Sequence, residues 1–220
     1  MACQYVELDG VKLIAKDDKV LVVERRRGFE PKTREKWKKL SRNHGVMIDV
    51  GAYTGFYSIL AAKNGAKSVI AIEPNPEAQA RIYENCRENS VSHKITVAGF
   101  AAYDVTGKIK AFRGRANLSS AASLTSLEAK ICNVITFRID DLALDNVTAI
   151  KIDVEQSEIP VLKGARETIA RCRPVVLIEL LRDTSRADAF FLRLGYTRSN
   201  LDGAMFSYEP ADCHGSPLGR

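Results

Sequence analysis

Residues 46–76 read VMIDVGAYTGFYSILAAKNGAKSVIAIEPNP and contain two apolar segments on either side of a loop with two glycines. The segment VMIDV predicts a buried strand, GFYSILAAKNG predicts a helix that ends at Gly65, and SVIAIE predicts a second strand. Strands with so few polar interruptions are typical of a parallel sheet that helices cover on both faces.

The same alternation continues along the chain and predicts the fold class. A helix at 75–91 is followed by a third strand at 94–103, and a crossover helix at 157–172 joins two further strands at 149–154 and 174–180. This repetition predicts an α/β protein with a doubly wound, mostly parallel, Rossmann-like sheet and helices on both faces.

Two segments stand outside this alternation. Residues 104–112 have the pattern of a hairpin inserted at an edge of the sheet, and residues 113–130 form a loop rich in Ser and Ala. A loop of that length in a compact domain is usually functional or mobile.

Residues 1–42 have a different pattern, and we interpret them as an N-terminal β/helical arm or lid on a main domain at 43–220. Three short β-branched segments are separated by turn signals at Asp9-Gly10 and at residues 17–18. Pro31 then begins a helix that extends to Arg42, with Trp37 and Leu40 facing inward.

The composition is that of an ordinary globular protein, with 45% hydrophobic and 27% charged residues. No apolar run is long enough to span a bilayer, and the N-terminus lacks the apolar segment of a secretory signal. The five cysteines and three histidines show no metal-ligand spacing. We therefore expect free thiols, no metal, no membrane partner and a cytoplasmic protein.

The net charge of +6 is concentrated in one segment. Residues 25–42 contain nine Lys or Arg and two acids, so this segment is more positive than the chain as a whole. Such a segment can bind an acidic or phosphate-rich partner, or can be a solvated helix face.

The loop after the first core strand predicts a cofactor site. Ligands of open α/β sheets bind beyond the carboxyl ends of the strands, where this sequence places Asp49, Gly51, Tyr53 and Gly55. Glu73 ends the second strand, in the position from which an acid binds the hydroxyls of a ribose. Pro74 follows it directly.

The glycine spacing disfavours a dinucleotide. A pyrophosphate site has the pattern G-x-G-x-x-G, whereas this loop is G-x-x-x-G with an acid two residues before it. An acid there would repel a pyrophosphate but suits a ligand with a cationic amino-acid end, such as S-adenosyl-L-methionine. We expect the turn at Phe100-Ala101, after the third strand, to flank the adenine.

A second group of acids follows the strand at 149–154. Asp153 and Glu155 would project into the same cleft, where carboxylates are costly unless they are paired or used. Glu158 has a simpler explanation, because an acid at a helix N-terminus is favoured by the helix dipole.

With these motifs the chain resembles the FkbM-type family of S-adenosylmethionine-dependent methyltransferases. The resemblance covers roughly residues 29–180 and rests on FEP, IDVGAYTGFYSILAA, VIAIEPNP, AAYDVTG, IDDL, IKIDVEQSEIPVLKGA and RPVVLIEL. The family commonly has Gly after D-V-E, where this chain has Gln156. The resemblance implies methyl transfer, usually to an oxygen of a small molecule or sugar.

The resemblance and the residues together suggest roles. We expect Asp153 or Glu155 to orient the acceptor or to act as base, and Gln156 and Glu179 to contact the substrate. A nucleic-acid methyltransferase acting on an RNA 2′-hydroxyl or a cap, through the basic segment at 25–42, is the alternative. A binding module without activity is a third reading, which the intact cofactor loop disfavours.

Overall fold

The structure is a computed structural model that describes residues 5–14, 20, 28–115, 129–154, 156–182 and 184–211, with side chains described outside 111–132. A sheet of seven strands in the order β11-β12-β10-β9-β3-β4-β5 is its centre. Its strands are β3 Val46–Val50, β4 Ser68–Ile72, β5 Ile95–Ala98, β9 Val147–Ile152, β10 Val175–Glu179, β11 Tyr196–Asn200 and β12 Met205–Pro210.

The five strands from β10 to β5 are parallel, and β12 and β11 extend the sheet in antiparallel pairings. From β3 the chain proceeds through β4 and β5 toward one edge, and later through β9 and β10 toward the other. The strand order therefore reverses beside β3, and the crevice at the carboxyl ends of β3 and β9 is where such sheets bind ligands.

Helices cover both faces of the sheet, which confirms the predicted doubly wound fold. On β3, Met47 points into one core cluster while Ile48 and Val50 point into the other, as strand alternation requires. The helices are α1 Pro31–Ser41, α2 Phe56–Lys63, α3 Pro76–Glu88, α4 Glu158–Gly164, α5 Arg166–Cys172 and α6 Thr184–Leu192. Side chains of α1 to α3 belong to the first cluster, and side chains of α4 to α6 belong to the second.

Two predicted elements are each divided in the structure. The helix expected at 157–172 is divided into α4 and α5 at Ala165. Just before the break, a Cβ on Gly164 would lie 1.8 Å from the carbonyl oxygen of Tyr103. The strand expected at 94–103 is divided into β5 and the short β6, Ala101–Ala102. The helix break therefore lies beside a contact with Tyr103, a distant residue that the local sequence pattern of the helix does not reveal.

The predicted edge hairpin at 104–112 is wrong. Its second half belongs to β7, Ile109–Arg115, which pairs with β8, Ala129–Phe137, in a separate sheet of order β6-β8-β7. The predicted loop at 113–130 therefore contributes strand residues at both ends, and its centre at 116–128 lies outside the described residues.

The hairpin at the start of the chain is confirmed. Strands β1, Tyr5–Leu8, and β2, Val11–Ile14, pair across a turn in which Asp9 and Gly10 have φ of +51° and +75°. Two left-handed residues form the type I′ turn that suits hairpin twist. The third predicted strand, at 19–24, lies outside the described residues except for Val20.

Asn85 of α3 and Asn89, which directly follows this helix, hold β2 against it. Asn89 accepts from the backbone N–H of Lys12 over 2.9 Å and donates to its carbonyl over 2.7 Å. Asn85 accepts from the N–H of Ile14 and donates to the carbonyl of Thr54 in the glycine loop. Residues of β2 and α1 also lie in the first core cluster. The assignment of 1–42 as a separate arm stays a prediction.

Helix α1 is anchored by the turn between β11 and β12. The carboxylate of Asp202 accepts hydrogen bonds from the backbone N–H of Thr33, over 2.7 Å, and from its hydroxyl, over 2.8 Å. Thr33 lies in the first turn of α1, where backbone N–H groups have no partner within the helix. Lys36 adds an ion pair of 2.9 Å with Glu209 of β12. The two chain ends therefore stabilise each other.

We expect Asp202→Ala to lower the free energy of unfolding by about 1–2 kcal/mol, the usual cost of losing a capping side chain. Asp202→Asn retains an acceptor oxygen and should cost less. Urea denaturation of the three proteins checks this prediction, and equal stability of wild type and Asp202→Ala would contradict it.

Candidate active site

The loop between β3 and α2 passes over the carboxyl end of β4. Gly51 and Ala52 donate backbone hydrogen bonds to the carbonyl of Ile72, over 2.9 and 3.1 Å. Gly51 has φ of +79°, and a Cβ there would lie 1.9 Å from the carbonyl oxygen of Asp153. Glycine is required at this position because the loop packs directly on the end of β9. Contact of Gly51 with a ligand stays a prediction.

Two further residues of the loop have left-handed backbones. Gly55, with φ of +88°, precedes the first residue of α2, and a Cβ there would lie 3.1 Å from Cγ2 of Ile82. Tyr53 has φ of +53°, and its backbone N–H donates to Oε2 of Glu73 over 2.9 Å. The loop conformation thus directs a backbone N–H at Glu73, the acid that directly follows β4.

Glu73 is held rigidly at this edge. Its Oε1 accepts from the backbone N–H of Asn75 over 2.9 Å, in addition to the bond from Tyr53 to Oε2. Only 7% of the residue is exposed, and burial raises the pKa of its carboxyl to about 7 against the opposing effect of the two backbone donors. Within the described part of the chain, no lysine or arginine forms an ion pair with Glu73.

Apolar side chains lie beside Glu73. Its backbone N–H donates to the carbonyl of Ala98, the last residue of β5, over 3.1 Å. Phe100 and Ala101 follow β5, and the ring of Phe100 lies 4.7 Å from that of Phe137. Phe100, Ala101 and Pro74 are each half-buried. That they flank an adenine stays a prediction.

Asp49 lies beneath the glycine loop with 1% of its surface exposed. Its Oδ2 accepts a hydrogen bond of 2.6 Å from the hydroxyl of Ser58 in α2. Burial raises the pKa of the Asp49 carboxyl, an effect that nearby Lys151 and the Ser58 bond partly offset. Its contact with a ligand ammonium stays a prediction.

The opposite side of the crevice is built around a buried cation. Lys151 is on β9 beside Asp49 of β3, with 2% exposed, and its Nζ lies 2.9 Å from Oδ2 of Asp153. The same Nζ lies 4.5 Å from the centroid of the Tyr57 ring. Burial alone lowers the pKa of Lys151, but the carboxylates of Asp153, Glu30 and Asp49 raise it above its usual value. Lys151 is therefore a fixed positive charge.

Glu30, immediately before α1, joins this group. The hydroxyl of Tyr57 donates to its Oε2 over 2.5 Å. Burial raises the pKa of Glu30, while Lys151 and the Tyr57 bond oppose the change. Glu30 has φ of +44°, a costly conformation for a residue with a side chain. Its placement is therefore imposed by α1 and Tyr57.

Glu179 completes the group from β10. Ile178 and Ile152 are partners in the parallel pairing of β10 and β9, so Glu179 and Asp153 follow side by side. Burial, followed by the charge and hydrogen bond of Asp153, raises the pKa of Glu179 to about 7. The structure thus brings together the predicted residues Asp153 and Glu179.

Glu155 and Gln156 are the other two residues predicted on the β9 side of the crevice. Glu155 lies outside the described residues. Gln156 is exposed and has φ of +68°, a left-handed conformation that favours glycine, in keeping with the Gly common in the family it resembles. Its backbone N–H donates to Oε1 of Glu158 over 3.0 Å. Its contact with substrate stays a prediction.

Sequence reasoning assigned no role to Lys151, Glu30 or the hydroxyl of Tyr57. Lys151 had a signal, because it interrupts the apolar strand AIKIDV and buried lysines are rare unless paired. Glu30 was visible only as the acid of FEP. Its distance of more than one hundred residues from Asp153 in the chain gives no local sign that the two meet.

The basic segment is largely neutralised by its own surroundings. Lys36 pairs with Glu209 and Lys38 with Asp9, over 2.9 and 3.4 Å. Glu35 lies 3.5 Å from the ammonium groups of both Lys38 and Lys39. Residues 25–27 lie outside the described residues. The described part of this segment therefore presents less free positive charge than its composition indicates.

These features agree with a comparison of the chain with protein families. Residues 49–198 match the family described as the methyltransferase FkbM domain. The chain belongs to the FkbM methyltransferase family. The resemblance expected from the sequence motifs is thereby confirmed.

Other FkbM and methyltransferase structures share the fold. The crystal structure of methyltransferase FkbM from Methylobacillus flagellatus KT is 23% identical, with a TM-score of 0.58, over 76% of this chain and 44% of that one. TYW2 of M. jannaschii, in complex with AdoMet, is 15% identical, with a TM-score of 0.50, over 93% of this chain and 82% of that one.

A curated relative is the ribosomal protein L11 methyltransferase of Lachnoclostridium phytofermentans. It is 26% identical over 102 residues, which are 44% of this chain and 31% of the relative. The chain thus spans less than half the length of this relative and of the M. flagellatus protein. In the described part of the chain, no helix has the length and apolar character needed to cross a membrane.

Gly51→Ala should be far more destabilising than Gly107→Ala. The two glycines have almost the same φ, +79° and +80°, but a Cβ at Gly107 meets nothing within 4 Å. Both variants bear the left-handed penalty of about 1–2 kcal/mol, and Gly51→Ala bears in addition a steric cost of about 3 kcal/mol or more. Urea denaturation measures the difference, and similar losses would show that the loop can move away from β9.

The buried Glu73 makes stability depend on pH. Because its pKa is raised in the folded state from 4.5 to about 7, its proton favours folding below about pH 4.5, and that contribution is lost as the pH rises through 7. Relative to Glu73→Gln, wild type should lose up to about 3 kcal/mol of unfolding free energy between pH 4.5 and 8.

Urea denaturation across this pH range tests the prediction. Glu84→Gln, in which a half-exposed acid of α3 is replaced, is the control and should retain the wild-type slope. The same slope in wild type and Glu73→Gln would contradict the proposed burial of charge at Glu73.

Proposed function

We propose that this chain transfers the methyl group of S-adenosyl-L-methionine to a hydroxyl of a small molecule or sugar. The observation that carries the proposal is Glu73, a buried acid that directly follows β4 beside the glycine loop and accepts hydrogen bonds from two backbone N–H groups. Family membership supports methyl transfer as the chemistry, and the TYW2 structure contains AdoMet in a related fold.

The residues at this edge fit the proposed cofactor. Each carboxylate oxygen has two lone pairs, and each oxygen of Glu73 already accepts one backbone N–H. One lone pair per oxygen remains, which suits the two neighbouring hydroxyls of a ribose. Phe100, Ala101 and Pro74 would then lie against the adenine, and the loop from Asp49 to Gly55 against the amino-acid end.

When bound, the cofactor supplies an electrophilic methyl group on a sulfonium. This chain's part is to hold the acceptor in line with that methyl group and to receive the hydroxyl proton. Asp153 is suited to this role because it lies against Gly51 at the strand reversal, with a third of its side chain exposed. Glu179 and Glu30 add hydrogen-bond acceptors for further hydroxyls on the same acceptor.

The carboxylates of this side favour a neutral acceptor over an RNA backbone. Three acids, Asp153, Glu179 and Glu30, surround a single ammonium of Lys151. A phosphate beside them would be repelled, and three lysines of α1, Lys36, Lys38 and Lys39, are paired with acids. Methylation of an RNA hydroxyl is the alternative, and an experiment must distinguish it from methylation of a neutral small molecule or sugar.

Calorimetry tests the cofactor assignment. We expect wild type to bind S-adenosylmethionine and S-adenosylhomocysteine, and Glu73→Gln to bind both at least 10-fold more weakly, because hydrogen bonds to a charged group are lost. With 2′-deoxy-S-adenosylhomocysteine the effect of Glu73→Gln should be smaller. The assignment would be contradicted if wild type bound neither ligand. It would also be contradicted if Glu73→Gln lost the same factor of affinity for S-adenosylhomocysteine and for its 2′-deoxy form.

Transfer of radioactive methyl groups tests the acceptor class. We would offer a panel of neutral monosaccharides and methyl glycosides, the corresponding sugar phosphates, and total RNA over a salt series. The proposal predicts label in neutral hydroxyl compounds. Label only in RNA, with activity that falls steeply with salt, would establish the alternative instead.

A further inference from the structure

Asp153 and Glu179 form a pair of carboxyl groups at the carboxyl ends of two neighbouring parallel strands. The pairing of Ile152 with Ile178 places Asp153 and Glu179 side by side at this edge of the sheet, and the charge of Asp153 raises the pKa of Glu179. A hydrogen bond between two carboxyl groups requires a proton on one of them, because ionised carboxylates have acceptors only. Two neighbouring carboxyl groups therefore favour a state in which they hold a single proton between them.

Buried Lys151 determines which acid retains the charge. Its ammonium lies 2.9 Å from Oδ2 of Asp153, and an adjacent cation stabilises an ionised carboxyl. When the pair holds one proton, that proton consequently resides mainly on Glu179, beside the ionised Asp153. Glu30 adds a further negative charge nearby, and Lys151 a positive one.

We infer that Asp153 and Glu179 act together as the proton acceptor for the substrate hydroxyl, sharing the proton between their carboxyl oxygens. The inference rests on the proposed methyl transfer. The hydroxyl oxygen forms a bond to the methyl carbon, the bond from that carbon to sulfur breaks with its electron pair going to sulfur, and the hydroxyl proton passes to the ionised pair. The pair is then singly protonated and stabilised by its internal hydrogen bond.

This arrangement answers a chemical difficulty. An isolated carboxylate is too weak a base to assist an alcohol efficiently. A base whose pKa lies near the working pH is both ionised in a large fraction of the molecules and basic enough to take the proton. Burial and the neighbouring Asp153 raise the pKa of Glu179 to about 7. The pair is ionised above that pH, so turnover should fall as the pH drops through about 7.

Carbon-13 NMR of the protein labelled at glutamate Cδ tests the pair without an acceptor. The Glu179 signal, assigned by its loss in Glu179→Gln, should titrate near pH 7. In Asp153→Asn its midpoint should fall by at least one pH unit, and in Glu30→Gln by less. Glu84→Gln is the control and should leave it unchanged. A Glu179 midpoint near its ordinary 4.5, or one insensitive to both variants, would overturn the inference.

Turnover tests the role of the pair with any neutral acceptor that takes up label. Glu179→Gln should bind S-adenosylmethionine with unchanged affinity, transfer methyl groups about 100-fold more slowly, and lose the decline in rate below pH 7. Normal turnover in this variant would overturn the role in proton transfer. A wild type that binds no cofactor would instead refute the proposed function, and the NMR midpoint would still decide whether the proton is shared.

Discussion

The ammonium of Lys151, buried at the carboxyl end of β9, is the charge around which the crevice is organised. An unpaired cation in the interior would cost several kcal/mol, so acids must surround it. They come from three places in the chain: Asp49 on β3, Asp153 after β9, and Glu30 before α1. One buried charge thereby links the centre of the sheet to the N-terminal helix.

The position of Glu30 depends in turn on the far end of the chain. Its left-handed backbone precedes α1, and the first turn of α1 is held by Asp202 in the turn between β11 and β12. Lys36 and Glu209 reinforce the same contact. Strands β11 and β12 therefore support the crevice indirectly, through their contacts with α1.

The crevice uses carboxylates in two distinct ways. On the side of β4, Glu73 is bonded to backbone N–H groups in an apolar setting, an arrangement that suits recognition of hydroxyls. On the side of β9 and β10, Asp153 and Glu179 lie against each other and near a lysine, an arrangement that suits proton transfer. The glycine loop separates the two sides, with Gly51 packed on the backbone of Asp153.

The sequence by itself determined the parallel core, the glycine loop, the strand-end acids and the first hairpin, because each depends on local periodicity or turn chemistry. Tertiary structure decided the rest. The division of α4 from α5, the pairing of β7 with β8, and the ion pair of Lys36 with Glu209 all depend on partners far away in the chain. The assembly of Glu30, Lys151, Asp153 and Glu179 is of the same kind, since burial and charge pairing arise only when separate elements pack together.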